Sequence, residues 1–237
     1  MLLDILAGGN IVDIIVSLLF SMPVILFALS MHETAHGYVA YKCGDNTAYN
    51  LGRLTLNPLA HLDLKGFLCM LIFGFGWAKP VPVNSRNFRN PKRGMALTAL
   101  AGPVANAILG ILSSVLFGAL YALYQYLLYT GAQGLGVVCL YYTTELFLLS
   151  AMCNFVFMAF NLIPVPPFDG SRVAFVFLPP KAYFGIMKYE RQIMLGILIT
   201  LLVISNLFNF SLFGWVANKL TFAIATPIFN LVLNLFA

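Results

Sequence analysis

The stretch "MHETAHGY" places His32, Glu33 and His36 within five residues of one another. On a helix, positions i and i+4 lie on the same face. His32 and His36 can therefore both turn a ring nitrogen towards one divalent ion, and zinc is the usual occupant of an H-E-x-x-H pattern. Glu33 is too close in sequence to join them as a comfortable third ligand, but it can serve as general base towards a water. Zinc lowers the pKa of such a water towards ~7, so a nucleophile becomes available at neutral pH. With three His and three Glu in 237 residues, chance would produce the pattern in roughly 5 of 10,000 such chains, before motif false positives are considered. From this helix alone two other readings stay open: a histidine pair hydrogen-bonded inside a bundle, and a proton or ion path.

The element that must carry the motif is unusual for a catalytic helix. "IIVSLLFSMPVIL" runs directly into it, and the whole chain is 61% hydrophobic and 9% charged, with mean hydropathy +0.90. Soluble domains carry roughly 25% charged residues, so the composition predicts an all-α polytopic membrane protein, folded as a single domain over residues 1–237. A crossing needs about 20 apolar residues. About five transmembrane helices are expected: 11–41 (with Pro23 as a bend), 95–129, 136–163, 192–206 and 213–236. "GFLCMLIFGFGW" is too short to cross and rich in glycine, which predicts a re-entrant or extended segment near residues 66–84. The four cysteines show no C-x-x-C spacing, and neither disulfides nor a cysteine-held metal are expected. "MLLDILAGGN" lacks a basic n-region, so no cleaved signal peptide is expected.

Charge placement orients the spans. Of 13 Lys and Arg, eight fall between Lys42 and Arg93 and four between Arg172 and Arg191. Basic loops stay cytoplasmic, so the N-terminus is expected outside and loops 42–94 and 164–191 inside a cell (inner) membrane. The net charge of +5 is thereby explained by topology, and no nucleic-acid partner is expected.

A catalytic zinc site needs a third protein ligand and an open position. His36 stands about a turn and a half before Lys42, and Asp169 in "NLIPVPPFDG" follows the third span at the same cytoplasmic end. The two arrive at similar depth on one side, which makes Asp169 the candidate third ligand. The prolines at 164, 166 and 167 stop the helix and free the chain to turn this Asp back; a plain turn-forming Asp before Gly170 is the alternative. Glu145 lies near mid-span and reads as a packing or hydrogen-bonding residue, and Asp13 lies near the outer end. His61 and Asp63, in "NPLAHLD", read as surface or weak hydrogen-bonding groups, with His61 an alternate ligand.

Together "HETAH", "GRLTLNPLAHLD", "GWAKPVPVN", "AGPVAN" and "NLIPVPPFDG" resemble the site-2 protease family of intramembrane zinc metalloproteases, in its short bacterial form. The match runs from about Met31 to Gly170, with a looser echo at "YERQ". The resemblance implies that His32, His36 and Asp169 hold one zinc ion (Zn2+) and that Glu33 is the general acid and base. It also implies that Asn161 positions substrate or stabilises the oxyanion, with a helix C-terminal Asn as the alternative. Asn106 matches another family position, and its small neighbours point to close helix packing. "GFGWAKPVPVN" could lend a strand edge to the substrate backbone. The PDZ or CBS domain of better-known members is not expected here.

The function expected is therefore an intramembrane zinc endopeptidase, hydrolysing peptide bonds in or near transmembrane segments of other membrane proteins. Its partners would be the lipid bilayer and a transmembrane protein substrate. The rival is a non-catalytic membrane protein, either a metal-ion transporter or an inactive protease-like binding protein.

Overall fold

The computed structural model describes residues 10–73, 76–208, 215–216, 218–219 and 221–236. Long apolar runs with few charged residues form the three dominant helices: α1 (Ile11–Lys42), then, after three short helices, α5 (Pro91–Tyr129) and α6 (Leu135–Asn161). At 1.5 Å per residue they are about 48, 58 and 40 Å long, against a hydrocarbon layer of roughly 30 Å. All three are long and apolar enough to cross a membrane. α5 starts at Pro91, four residues before the expected Met95. Its first turn, "PKRG", is too polar for a hydropathy reading, yet proline suits a first helical position. α6 ends at Asn161 rather than Ile163 because the residue before Pro164 is pushed out of the helical region.

The chain divides into two compact units, Met1–Gly102 and Pro103–Ala237, the boundary falling inside α5. In the first unit, α1 is capped by Asn10, whose side chain accepts the Val12 N–H at 3.0 Å. Beyond α1 come α2 (Thr47–Asn50), α3 (Pro58–His61) and α4 (Leu64–Phe73). The "NP" of the sequence motif is the start of α3: Asn57 accepts from Leu59 N–H at 3.1 Å, and Pro58 fills the first position. Asp63 begins α4 by accepting from Gly66 N–H at 2.9 Å. It is a capping residue.

α4 has ten residues, about 15 Å, or half a crossing. The expected re-entrant segment is thus a short helix followed by a non-helical run, 76–84. An isolated antiparallel bridge joins Leu62 to Ala78, and Lys79 N–H donates to the His61 carbonyl at 2.8 Å. Arg53 Nη2 donates to the Lys79 carbonyl at 2.9 Å. The run is therefore held along its backbone.

The second unit continues α5 through the turn 130–134 into α6, then α7 (Asp169–Phe175), α8 (Pro180–Met187), α9 (Glu190–Phe208) and α10 (Thr226–Phe236). The expected crossing 192–206 coincides with α9. The expected crossing 213–236 lies partly outside the described residues; a π-helical turn, Thr221–Ala225, and α10 are its described part. Its packing inverts the pattern of a soluble protein. Asn106, Ser114, Ala151 and Asn154 are buried, while Ile108, Ile111, Leu112 and Val115 are exposed. Asn106 Nδ2 donates to Asn154 Oδ1 at 2.8 Å, and the Ser113 and Ser150 hydroxyls meet at 2.9 Å. Hydrogen bonds and small residues thus join α5 to α6, as expected where lipid gives no hydrophobic drive between helices. Ala151 and Phe155 form the apolar centre, with Met158 and Ile224 against them.

Candidate active site

His32 and His36 lie on one face of α1 and are both buried. Their rings are perpendicular, with centroids 4.5 Å apart, and the two Nε2 atoms approach to 3.0 Å. His36 Nδ1 lies 2.7 Å from the Thr98 carbonyl of α5. A carbonyl only accepts, so Nδ1 carries the proton and the Nε2 of the neutral ring presents a lone pair. This is the arrangement in which metal-binding histidines are commonly oriented, the far nitrogen fixed by a backbone carbonyl.

A metal ion fits these two residues. Their nitrogens are close enough together for one ion at about 2.0–2.1 Å from each. Space is also kept for it: a Cβ on Gly102 would sit 2.5 Å from His36 Nε2 and 2.6 Å from His32 Nε2. The "AG" of "AGPVAN" is therefore a cradle over the imidazole nitrogens, and only a residue without a side chain leaves it open.

Glu33 projects from the same helix turn and is half-buried. Its Oε2 accepts the backbone N–H of Val81 at 2.8 Å. The run 76–84 therefore lies against the carboxylate. Sequence reasoning placed an extended segment beside the site, but it missed that one amide of that segment is already committed to Glu33. The partner is 48 residues away, and no local pattern announces it.

His61 is buried, so of the two roles expected, surface residue or hydrogen-bonding group, only the second holds. Its Nε2 bonds the Thr55 carbonyl at 2.8 Å and lies 3.5 Å from the Thr34 hydroxyl inside the motif. Thr34 itself donates to the same carbonyl at 2.7 Å. His61 thereby braces the H-E-x-x-H turn from the α3 side.

Asn161 and Asp169 belong to the second unit. Asn161 is the last residue of α6 and donates from Nδ2 to the Phe157 carbonyl of its own helix at 3.0 Å. After it the chain reverses: Phe168 N–H donates to the Val165 carbonyl and Ser171 N–H to the Phe168 carbonyl, each at 3.0 Å. Asp169 then opens α7. Gly170 passes so close to the Leu162 carbonyl that a Cβ would overlap it, so the D-G pair folds back onto the end of α6. Asn106 is engaged in the Asn154 contact described above. Glu145 is exposed on α6, against the expectation that it packs or bonds within the bundle.

The helical membrane scaffold and the buried H-E-x-x-H define a membrane metalloprotease. Residues 20–205 match peptidase family M50, and the chain belongs to that family. It is 42% identical to "Putative zinc metalloprotease YwhC" of Bacillus subtilis (strain 168) over 156 residues, 66% of this chain and 68% of that protein. It is 27% identical to "Putative zinc metalloprotease Rip2" of Mycolicibacterium smegmatis over 196 residues, 80% and 70% of the two chains. No solved structure matches it. The family implies zinc as the metal.

Proposed function

We propose that this chain is an intramembrane zinc endopeptidase that cuts transmembrane segments of other proteins, with one zinc ion held by His32, His36 and Asp169. The buried pair of imidazole nitrogens under Gly102 carries this reading. Asp169 would add a carboxylate oxygen to the two ring nitrogens, and two nitrogens with one carboxylate make a donor set that suits a catalytic zinc with one position left open. Zinc, when bound, supplies a Lewis acid that activates water and polarises a carbonyl.

The chain's own residues do the rest. Glu33 takes the proton of the attacking water on a carboxylate oxygen as the water oxygen bonds to the scissile carbon. It then delivers that proton to the departing amide nitrogen as the C–N bond breaks, leaving a carboxylate and an amine. Asn161, released from Phe157, donates from Nδ2 to the developing oxyanion. The active site faces the cytoplasmic side of the cell membrane and the N-terminus faces outside, as the basic loops favour.

A substrate strand laid along 79–84 would meet an unusual edge. Pro80 and Pro82 have no N–H, the Val81 N–H goes to Glu33, and Lys79 N–H goes to His61. The edge therefore offers mainly carbonyls, with Val83 as the remaining amide. Val83→Pro is the clean test of strand pairing, because Val81→Pro would also strip Glu33 of its donor.

The reading is tested with purified protein, metal analysis and cleavage of a transmembrane peptide. Wild type should hold one zinc per chain and cleave. Glu33→Gln should keep zinc and lose turnover by on the order of 10³-fold or more, within the range given for general acid–base catalysis with its neighbours. Asp169→Ala should lose zinc. Stoichiometric zinc in Asp169→Ala would remove the third ligand, and cleavage by Glu33→Gln would remove the base.

A further inference from the structure

Asp45 lies three residues past the end of α1 and has no exposed surface. Its Oδ1 accepts Thr47 N–H at 3.1 Å, the Thr47 hydroxyl, and Asn87 Nδ2 at 2.8 Å. The bonds to Thr47 are local, of the kind an Asp makes in many turns. Its Oδ2 does something different: it accepts the backbone N–H of Asn84 at 2.6 Å, from 39 residues away. Asn84 stands three residues after Val81, whose N–H is bound by Glu33. The run 81–84 is thus gripped at both ends by carboxylates borne on or just beyond α1.

We infer that Asp45 is a positioning residue for Glu33: by holding Asn84 it keeps the Val81 amide seated on the Glu33 carboxylate. The two carboxylates differ in their work. That of Glu33 faces the reaction, whereas that of Asp45 is sealed off and has no acidic chemistry to perform. Upstream, Arg53 and His61 fix the run at Lys79. Without Asp45 the downstream end is released, and the Val81 N–H loses the constraint that aims it. The inference rests on Glu33 being the proton carrier of the proposed reaction.

Hydrogen–deuterium exchange of the zinc-loaded full chain in detergent reads this directly. Pro80 and Pro82 flank Val81, so a peptide spanning 80–84 carries only the amides of Val81, Val83 and Asn84. In Asp45→Ala, exchange at Val81 and Asn84 should accelerate at least ten-fold, while amides around Ala28 in α1 keep their rate. Zinc should stay stoichiometric, and kcat for a transmembrane peptide should fall by about 10–100-fold, the scale of a small misplacement of a catalytic group, with KM changing less. Asp45→Asn retains one acceptor oxygen and should fall between the two, and it carries the same test if Asp45→Ala does not fold. Acceleration at Asn84 with Val81 unchanged, or an unchanged kcat in both variants, would overturn the inference. A wild type that binds no zinc and cleaves nothing would instead sink the peptidase reading, and the exchange pattern would still decide whether Asp45 holds Val81.

Discussion

A methyl group at position 102 would place its carbon where the Nε2 lone pairs of His32 and His36 converge. Glycine inside a helix normally costs about 1 kcal/mol relative to alanine, so Gly102→Ala ought to favour α5 on propensity alone. The expected outcome is a separation of fold from site: a protein that stays folded, with unfolding temperature within a few degrees of wild type, but binds zinc at least ten-fold more weakly. Metal titration beside thermal melting checks this, and wild-type zinc affinity in Gly102→Ala would show that the rings yield instead. His32, Glu33 and His36 were readable in the sequence because four residues of helix bring them together without help from the fold. Gly102 and the Val81 amide were not, because their meaning is set by atoms contributed from distant parts of the chain. Glu145 misled for the opposite reason: an acid in an apolar run invites a buried role, yet its side is decided by helix rotation, which one residue does not reveal.

Among the elements, the connection after α1 is as consequential as the helix. Burial alone would push the Asp45 carboxyl up, but its bonds from Thr47, Asn84 and Asn87 outweigh this and hold it below the usual carboxylate range. A carboxyl whose pKa is lower folded than unfolded adds stability above the unfolded value, near 3.9, and that stability drains away as pH falls below it towards the folded value. Thermal melting in detergent between pH 7 and pH 3 should therefore show a wild-type loss on the acid side that Asp45→Asn lacks. Equal acid sensitivity in the two would assign the loss to other carboxyls. The long helices were legible to within a few residues because crossing a bilayer demands length and apolarity together. The short helices α2 and α3 escaped, since four residues are too few for a periodicity to show. The segment around the non-helical run at 76–84 was legible through the shortness and glycine content of "GFLCMLIFGFGW" and through the family motif "GWAKPVPVN".

For the whole chain, membrane residence followed from composition, and the family was already visible in five separated motifs. The number of crossings was less accessible: α1, α5 and α6 are unmistakable, whereas the later apolar segments are shorter and more broken, so length no longer separates a crossing from a buried helix. The inverted packing of the second unit has a consequence for how the chain can vary. Where lipid is the solvent, volume rather than polarity is the currency of selection. Ile108, Ile111 and Leu112 should accept bulkier or smaller apolar residues almost freely in a saturation scan read by folded yield. Ser114, Ala151 and Asn154 should reject any enlargement, including to leucine, the most membrane-compatible of residues. A map of tolerated size laid over these helices would trace their inner seam, and hydropathy would leave it invisible.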